Sequence, residues 1–185
     1  FPVLTQDRLD KISSVQTRRP DYWLHQLADI HNLAAQSGAP FSINDIVPIA
    51  NHLTEAGVVA VKADSPYKTI EELVAAAKEK GNLKASTNGN KASNHTAAQL
   101  LAKSAGFKYK AIPYGGTADQ LLALRQGEVD FTCAKVADVA KLVKGDKPEL
   151  RVLAVFNTKR DPELPNVPTL GEKGLYPNGT ALLVL

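Results

Sequence analysis

Between Glu79 and Asp119 the chain carries no acidic residue, while Ser86, Thr87, Asn88, Asn90, Ser93 and Asn94 crowd into nine positions of that interval. His95 follows directly, and six lysines share the interval: Lys80, Lys84, Lys91, Lys103, Lys108 and Lys110. Hydroxyls, carboxamides and backbone N–H groups gathered at a helix start suit an anion, because unpaired N–H groups and the helix dipole both favour negative charge there. A second cluster, Tyr114, Gly115, Gly116 and Thr117, combines glycines that admit close backbone approach with a hydroxyl at another helix start. The chemistry on offer is recognition of a small anion by neutral dipoles. A Ser/Asn-rich loop also serves an ordinary capped helix, and most lysines are simply solvated, so both uses stand at this point.

Other chemistries lack carriers. His25, His31 and His52 show no metal-ligand spacing with one another or with paired acids, and His95 reads either as a donor to an anion or as a structural residue. The single cysteine, Cys133, excludes an internal disulfide and reads as a small buried apolar residue. No GxSxG, GxxxxGK[ST] or GxGxxG pattern occurs, and no nucleophile and base are nominated, so neither a catalytic residue nor a cofactor or metal is expected. A net charge of +3 without a long basic run gives no argument for nucleic acid. No apolar run approaches the roughly 18 to 20 residues of a membrane helix.

The elements that must position these residues repeat from residue 57 onward. Short β-rich runs at 57–63, 82–86, 108–113, 128–133 and 150–157 alternate with KTIEELVAAAKEKG, NHTAAQLLAKSAG, TADQLLALRQG and VADVAKLVKG. The latter carry apolar residues at helical spacing, and Gly81, Gly106, Gly127 and Gly145 stand where C-terminal caps belong. The alternation predicts an α/β unit with a mainly parallel sheet, whose ligands bind beyond the C-terminal strand ends.

The helix starts differ in charge. Thr69 and Glu72 have capping-box spacing with Glu71 beside them, Thr117 and Gln120 have the same spacing with Asp119, and the last helix has Asp138. The second helix has Ser93 or Asn94 as its expected cap and no acid. After residue 157, NTKRDPELPNVPTLGEKG, with prolines at 162, 165 and 168, reads as an extended connection to a different body of structure. A chain of 185 residues accommodates one large or two small cores. The absence of methionine and the terminal run LYPNGTALLVL suggest truncation at both ends.

The segments ASTNGNKASNHTAAQLLAKSAGFKYKAIPYGGTADQLLAL, GEVDF and LAVFNTKRDPELPNVPTLGEKGL resemble the Bug proteins, the periplasmic solute receptors of the tripartite tricarboxylate transporter type. The resemblance implies a type II periplasmic-binding-protein fold: two α/β lobes with a hinge, here incomplete at both ends, closing on a small carboxylate or dicarboxylate. Residues 1–61 and 157–185 would form part of the first lobe and 62–156 the second. The family's Ala-Gly-Asn-Gly-Ser-Ser-Ser-His loop maps onto residues 88–95, with Lys91 and Ala92 departing from it. Its Tyr-Lys-Gly-Thr loop maps onto residues 114–117, with the lysine lost.

The expected cradle is Ser86, Thr87, Asn90, Ser93, Asn94 and His95, with Tyr114, Gly115, Gly116 and Thr117 as a second loop and Thr132 and Lys135 as a third. Each would act by hydrogen bonding or charge. The resemblance also implies a monomer in the periplasm, not embedded in a membrane, serving uptake or sensing, with a membrane permease as partner and no nucleic acid. An effector-binding domain of a transcriptional regulator is the alternative of similar fold; an N-terminal helix-turn-helix would favour it, and none is evident.

Overall fold

The β-rich runs form strands and the intervening stretches form helices in a computed structural model that describes Ser42, Asp45, residues 55–89 and residues 92–175. The chain divides into two compact units between Leu53 and Thr54, and all described residues except Ser42 and Asp45 belong to the second. In chain order the elements are β1 (Gly57–Lys62), α1 (Ile70–Lys80), β2 (Leu83–Thr87), α2 (Ser93–Ala105), β3 (Tyr109–Pro113), α3 (Thr117–Gln126), β4 (Phe131–Lys135), α4 (Val136–Val143) and β5 (Leu150–Phe156). Gly81, Gly106 and Gly127 close α1, α2 and α3 in the left-handed conformation, at φ 65°, 71° and 78°. Gly145 lies one residue beyond the expected place, because α4 ends at Lys144 with extended backbone.

The sheet has the order β3-β2-β4-β1-β5. Parallel pairing joins β2 to β3 and β4, whereas β1 runs antiparallel to both β4 and β5. The expected mainly parallel sheet is therefore interrupted by one reversed strand at an inner position. Both faces of β1 are buried, which explains its unbroken apolar sequence GVVAV. Val59 and Val61 join a core with Ile70, Leu73, Ala97 and Leu101 of α1 and α2. Val58 and Ala60 join another with Leu121, Leu124, Val136 and Val139 of α3 and α4. The result is a three-layer arrangement with the sheet in the middle.

The register against β5 shifts after Val59: Val59 opposes Ala154 and Ala60 opposes Val152. Leu153 is the extra residue of this bulge, and it reverses which side chains of β5 face which core. Leu150 and Val152 accordingly enter the α3/α4 core, while Ala154 and Phe156 enter the α1/α2 core. The fourth strand begins at Phe131 instead of Glu128, since Asp130 turns its carboxylate to the Lys84 N–H at 2.7 Å.

Residues 158–170 return to the same unit, a different outcome from the extended connection expected. Val155 N–H donates to Pro168 O at 3.0 Å and Leu170 N–H to Val155 O at 2.9 Å, covering the β5 edge. Leu164, Thr169 and Leu170 are buried there. The opposite edge, β3, is guarded by Lys108, Lys110 and Pro113, side chains that discourage further strand pairing.

Phe131, fully buried, meets Phe107 and Tyr109 edge-on at centroid distances of 6.4 and 5.8 Å. Phe131→Ala is expected to lower stability by about 3–5 kcal/mol in urea unfolding, whereas Leu122→Ala, at a position 45% exposed, changes it by about 0.5 kcal/mol or less. The Tyr109 hydroxyl is buried without a hydrogen-bond partner, and burial, followed by the neighbouring Cys133, pushes its pKa up to about 12. The neutral phenol is the form that the fold accepts, so its contribution is complete below the ordinary value of 10.0 and is lost as pH climbs through about 12. Tyr109→Phe is expected to leave neutral-pH stability unchanged or slightly raised and to remove that alkaline loss, read from urea midpoints at about pH 9 and about pH 11.5.

Candidate functional site

Because β2, β3 and β4 point the same way, their C-terminal ends share one edge of the sheet, and each leads into a helix start. Among the described residues, three of the four helix starts are answered from within the protein. At α1, Thr69 Oγ1 accepts the Glu72 N–H at 3.3 Å, and Glu72 accepts the Lys68 N–H at 2.6 Å, one residue outside the capping-box position expected. At α4, the Glu55 carboxylate accepts the Ala137 N–H at 2.6 Å, and Asp138 accepts that of Lys135 at 3.4 Å. At α3, Asp119 lies in the first turn.

The start of α2 has neither device. Its cap position is Ala92, not Ser93 or Asn94, with no side-chain hydrogen bond and no acid in the first turn. Ser93 and Asn94 instead occupy the first two helical positions, and both are buried.

Beneath this start lies a buried polar network. Ser86 Oγ donates to Thr132 Oγ1 at 2.9 Å, and Thr132 Oγ1 donates in turn to Ser86 O at 3.1 Å. Gln120, fully buried on α3, donates from Nε2 to Cys133 O at 2.6 Å and to Thr132 Oγ1, while its Oε1 accepts from Asn94 Nδ2 at 3.0 Å. One amide thus joins α2, α3 and β4. Three buried atoms near this edge have no hydrogen-bond partner: Thr87 Oγ1, Asn88 Oδ1 and Asn94 Oδ1. Buried polar atoms are normally paired, and leaving one unpaired costs about 1–3 kcal/mol, so these three are positions where a ligand or water would be welcome.

The expected residues fall into distinct situations. Ser86 and Thr132 are committed to each other and hold β2 to β4. Thr87, Asn94, Ser93 and His95 share the end of β2 and the first turn of α2. Asn90 lies outside the described residues. Tyr114 turns its hydroxyl to Glu128 at 3.1 Å, and burial and that contact push its phenol pKa upward. Its N–H donates to Thr87 O at 2.9 Å, which ties the second loop to the first.

Gly115 packs close to Asp119, where an added Cβ would stand 3.3 Å from Oδ2. Gly116 is extended, and a Cβ there would meet open space, so neither backbone strain nor packing within the protein requires glycine. The Thr117 hydroxyl begins α3 without a side-chain cap role, and Gln120 does not close the box expected with it. Lys135 ends β4 at a helix start already answered by Glu55 and Asp138, so this third loop differs from the first. Cys133 is buried, which drives its thiol pKa upward and suits the apolar role read from the sequence.

Gln120 was expected as a capping-box residue instead of a network centre, and Glu55 was not singled out. Each acts through a contact distant in sequence, 26 residues from Gln120 to Asn94 and 82 from Glu55 to Ala137. Among the described residues no cluster of His, Cys, Asp or Glu is placed to hold a metal ion, and no helix is long and apolar enough to cross a membrane. A cavity of about 350 Å³ lined by Lys144, Leu150, Arg151, Glu163 and Leu164 shares no residue with the loops described above.

Residues 12–182 match the family described as the tripartite tricarboxylate transporter family receptor. A UPF0065 protein from the tcbD-tcbE intergenic region of Pseudomonas sp. (strain P51) is 33% identical over 137 residues, covering 74% of this chain and 40% of that protein. A TctC solute-binding protein from Polaromonas, solved without ligand, has 31% identity and a TM-score of 0.66 over 74% of this chain and 46% of its own. An R. palustris protein solved with adipate has 25% identity and a TM-score of 0.64 over 70% of this chain and 42% of its own. The chain therefore spans less than half the length of these proteins.

Replacing Gln120 by leucine keeps its bulk but strips the amide from Asn94 Nδ2 and Cys133 O. A loss of about 2 kcal/mol or more is expected in urea unfolding, and a loss below about 0.5 kcal/mol would show that the network does not hold the edge together.

Proposed function

Because the chain belongs to the tripartite tricarboxylate transporter receptor family, we propose that it captures a small organic carboxylate at the shared edge of β2 and β3. The observation that carries this reading is the start of α2, which has no side-chain cap and no acid in its first turn, while Thr87 Oγ1, at the end of the strand that leads into it, is buried and unpaired. A carboxylate there accepts from the Thr87 hydroxyl, and its charge meets the positive end of the dipole. Gly116 leaves space for close backbone approach, and Thr117 and Lys135 supply a hydroxyl and a positive charge from the neighbouring loops. The similar R. palustris protein solved with adipate supports a dicarboxylate as the ligand class.

The work is binding and release, with no bond made or broken. Neutral donors suit it, since they hold an anion without the deep trap of a fully buried ion pair. In this reading the receptor acts in the periplasm, closes on its ligand about a hinge, and passes it to a membrane permease.

Thermal shift of the whole protein with adipate, succinate and aromatic acids tests the proposal. A bound acid at about 100 times its Kd raises stability by about 2.7 kcal/mol; a shift with neutral sugars and none with any carboxylate overturns it. Thr87→Val, which keeps shape and removes the hydroxyl, is expected to weaken the bound acid roughly tenfold by calorimetric titration.

A further inference from the structure

The orientation of the Asn94 carboxamide is fixed from a distance. Cys133 O is a carbonyl and only accepts, so the Gln120 atom 2.6 Å from it is the amide nitrogen. The Gln120 oxygen therefore faces Asn94, and the Asn94 atom that meets it at 3.0 Å is the nitrogen, since two amide oxygens would repel. Asn94 Oδ1 is left over. It is buried and unpaired, on a residue 1% exposed, in the first turn of the helix whose start lacks an acid.

That leftover atom is an acceptor, and a carboxylate oxygen is also one. A plain carboxylate on the start of α2 satisfies the Thr87 hydroxyl but leaves Asn94 Oδ1 unpaired beside a like partial charge. A hydrogen-bond donor close to the carboxylate removes the conflict. An ammonium group fits less well than a hydroxyl, because the first turn of α2 holds no acid to compensate a buried positive charge.

We propose that the site selects carboxylates bearing a hydroxyl on the adjacent carbon, with Asn94 Oδ1 accepting the hydroxyl hydrogen and Gln120 as the positioning residue that holds Asn94 in that orientation. This rests on the carboxylate site proposed above. Water is the competing donor: where it fills the place, the hydroxyl gives no advantage.

Calorimetric titration of the whole protein with matched pairs separates these cases: propionate and lactate, succinate and 2-hydroxysuccinate, adipate and 2-hydroxyadipate, with 2-aminosuccinate as the ammonium probe. The hydroxy acid of the best-binding pair is expected to bind roughly tenfold more tightly than its plain partner, and more tightly than the amino acid. Asn94→Ala is expected to bring that ratio close to one, whatever the affinity of the plain acid becomes, and Gln120→Met to lower the ratio in the same direction. A merely structural role would weaken both members of a pair alike. Equal binding within pairs by the unaltered protein, tighter binding of the amino acid, or an undiminished ratio in Asn94→Ala overturns the inference and leaves the carboxylate site standing. Failure of every acid to bind removes both.

Discussion

The carboxamide of Gln120 is the contact on which the polar edge depends. It is buried beyond reach of water, yet its nitrogen and oxygen are both paired, to Cys133 O and Thr132 on one side and to Asn94 on the other. A buried amide in that state is tolerated because few of its polar atoms remain unmatched, and it is directional in a way that apolar packing is not. Its direction passes to Asn94, so the geometry at the start of α2 is set by a residue on α3 and a backbone carbonyl on β4.

Charge then distinguishes the helices. The four helices of the described residues begin with similar dipoles, and α1, α3 and α4 each meet a carboxylate of the protein near that end. Only α2 among them has neither a side-chain cap nor an acid in its first turn. The contrast is informative because all four sit in one fold and carry comparable lengths, so the difference lies in the sequence around the start and not in the architecture.

The reversed strand β1 and the bulge opposite Val59 serve the same edge indirectly. Burial of β1 on both faces anchors β4 through residues 57–60, and β4 in turn carries Thr132 and Cys133 to their partners. Leu153 absorbs the change of register, which lets β5 contribute to both cores without breaking the pairing with β1. Residues 158–170 then close the free side of β5, leaving the opposite edge to the lysines of β3.

Alternating periodicity in the sequence determined the strands and helices from residue 57 to 157, and glycines marked the ends of α1, α2 and α3, because these signals are local. The acid-free interval was legible for the same reason: absence of charge is counted along the chain. The family was legible from residues 85–124, 127–131 and 153–175. Tertiary structure alone decided the direction of β1, since a strand's own pattern says only that both faces are buried. It also decided that Gln120 is not a capping residue, that Glu55 closes α4, and that residues 158–170 fold back onto β5. Each of these depends on partners brought together by the fold across long sequence separations, and pairing of that kind leaves no periodic trace in the chain.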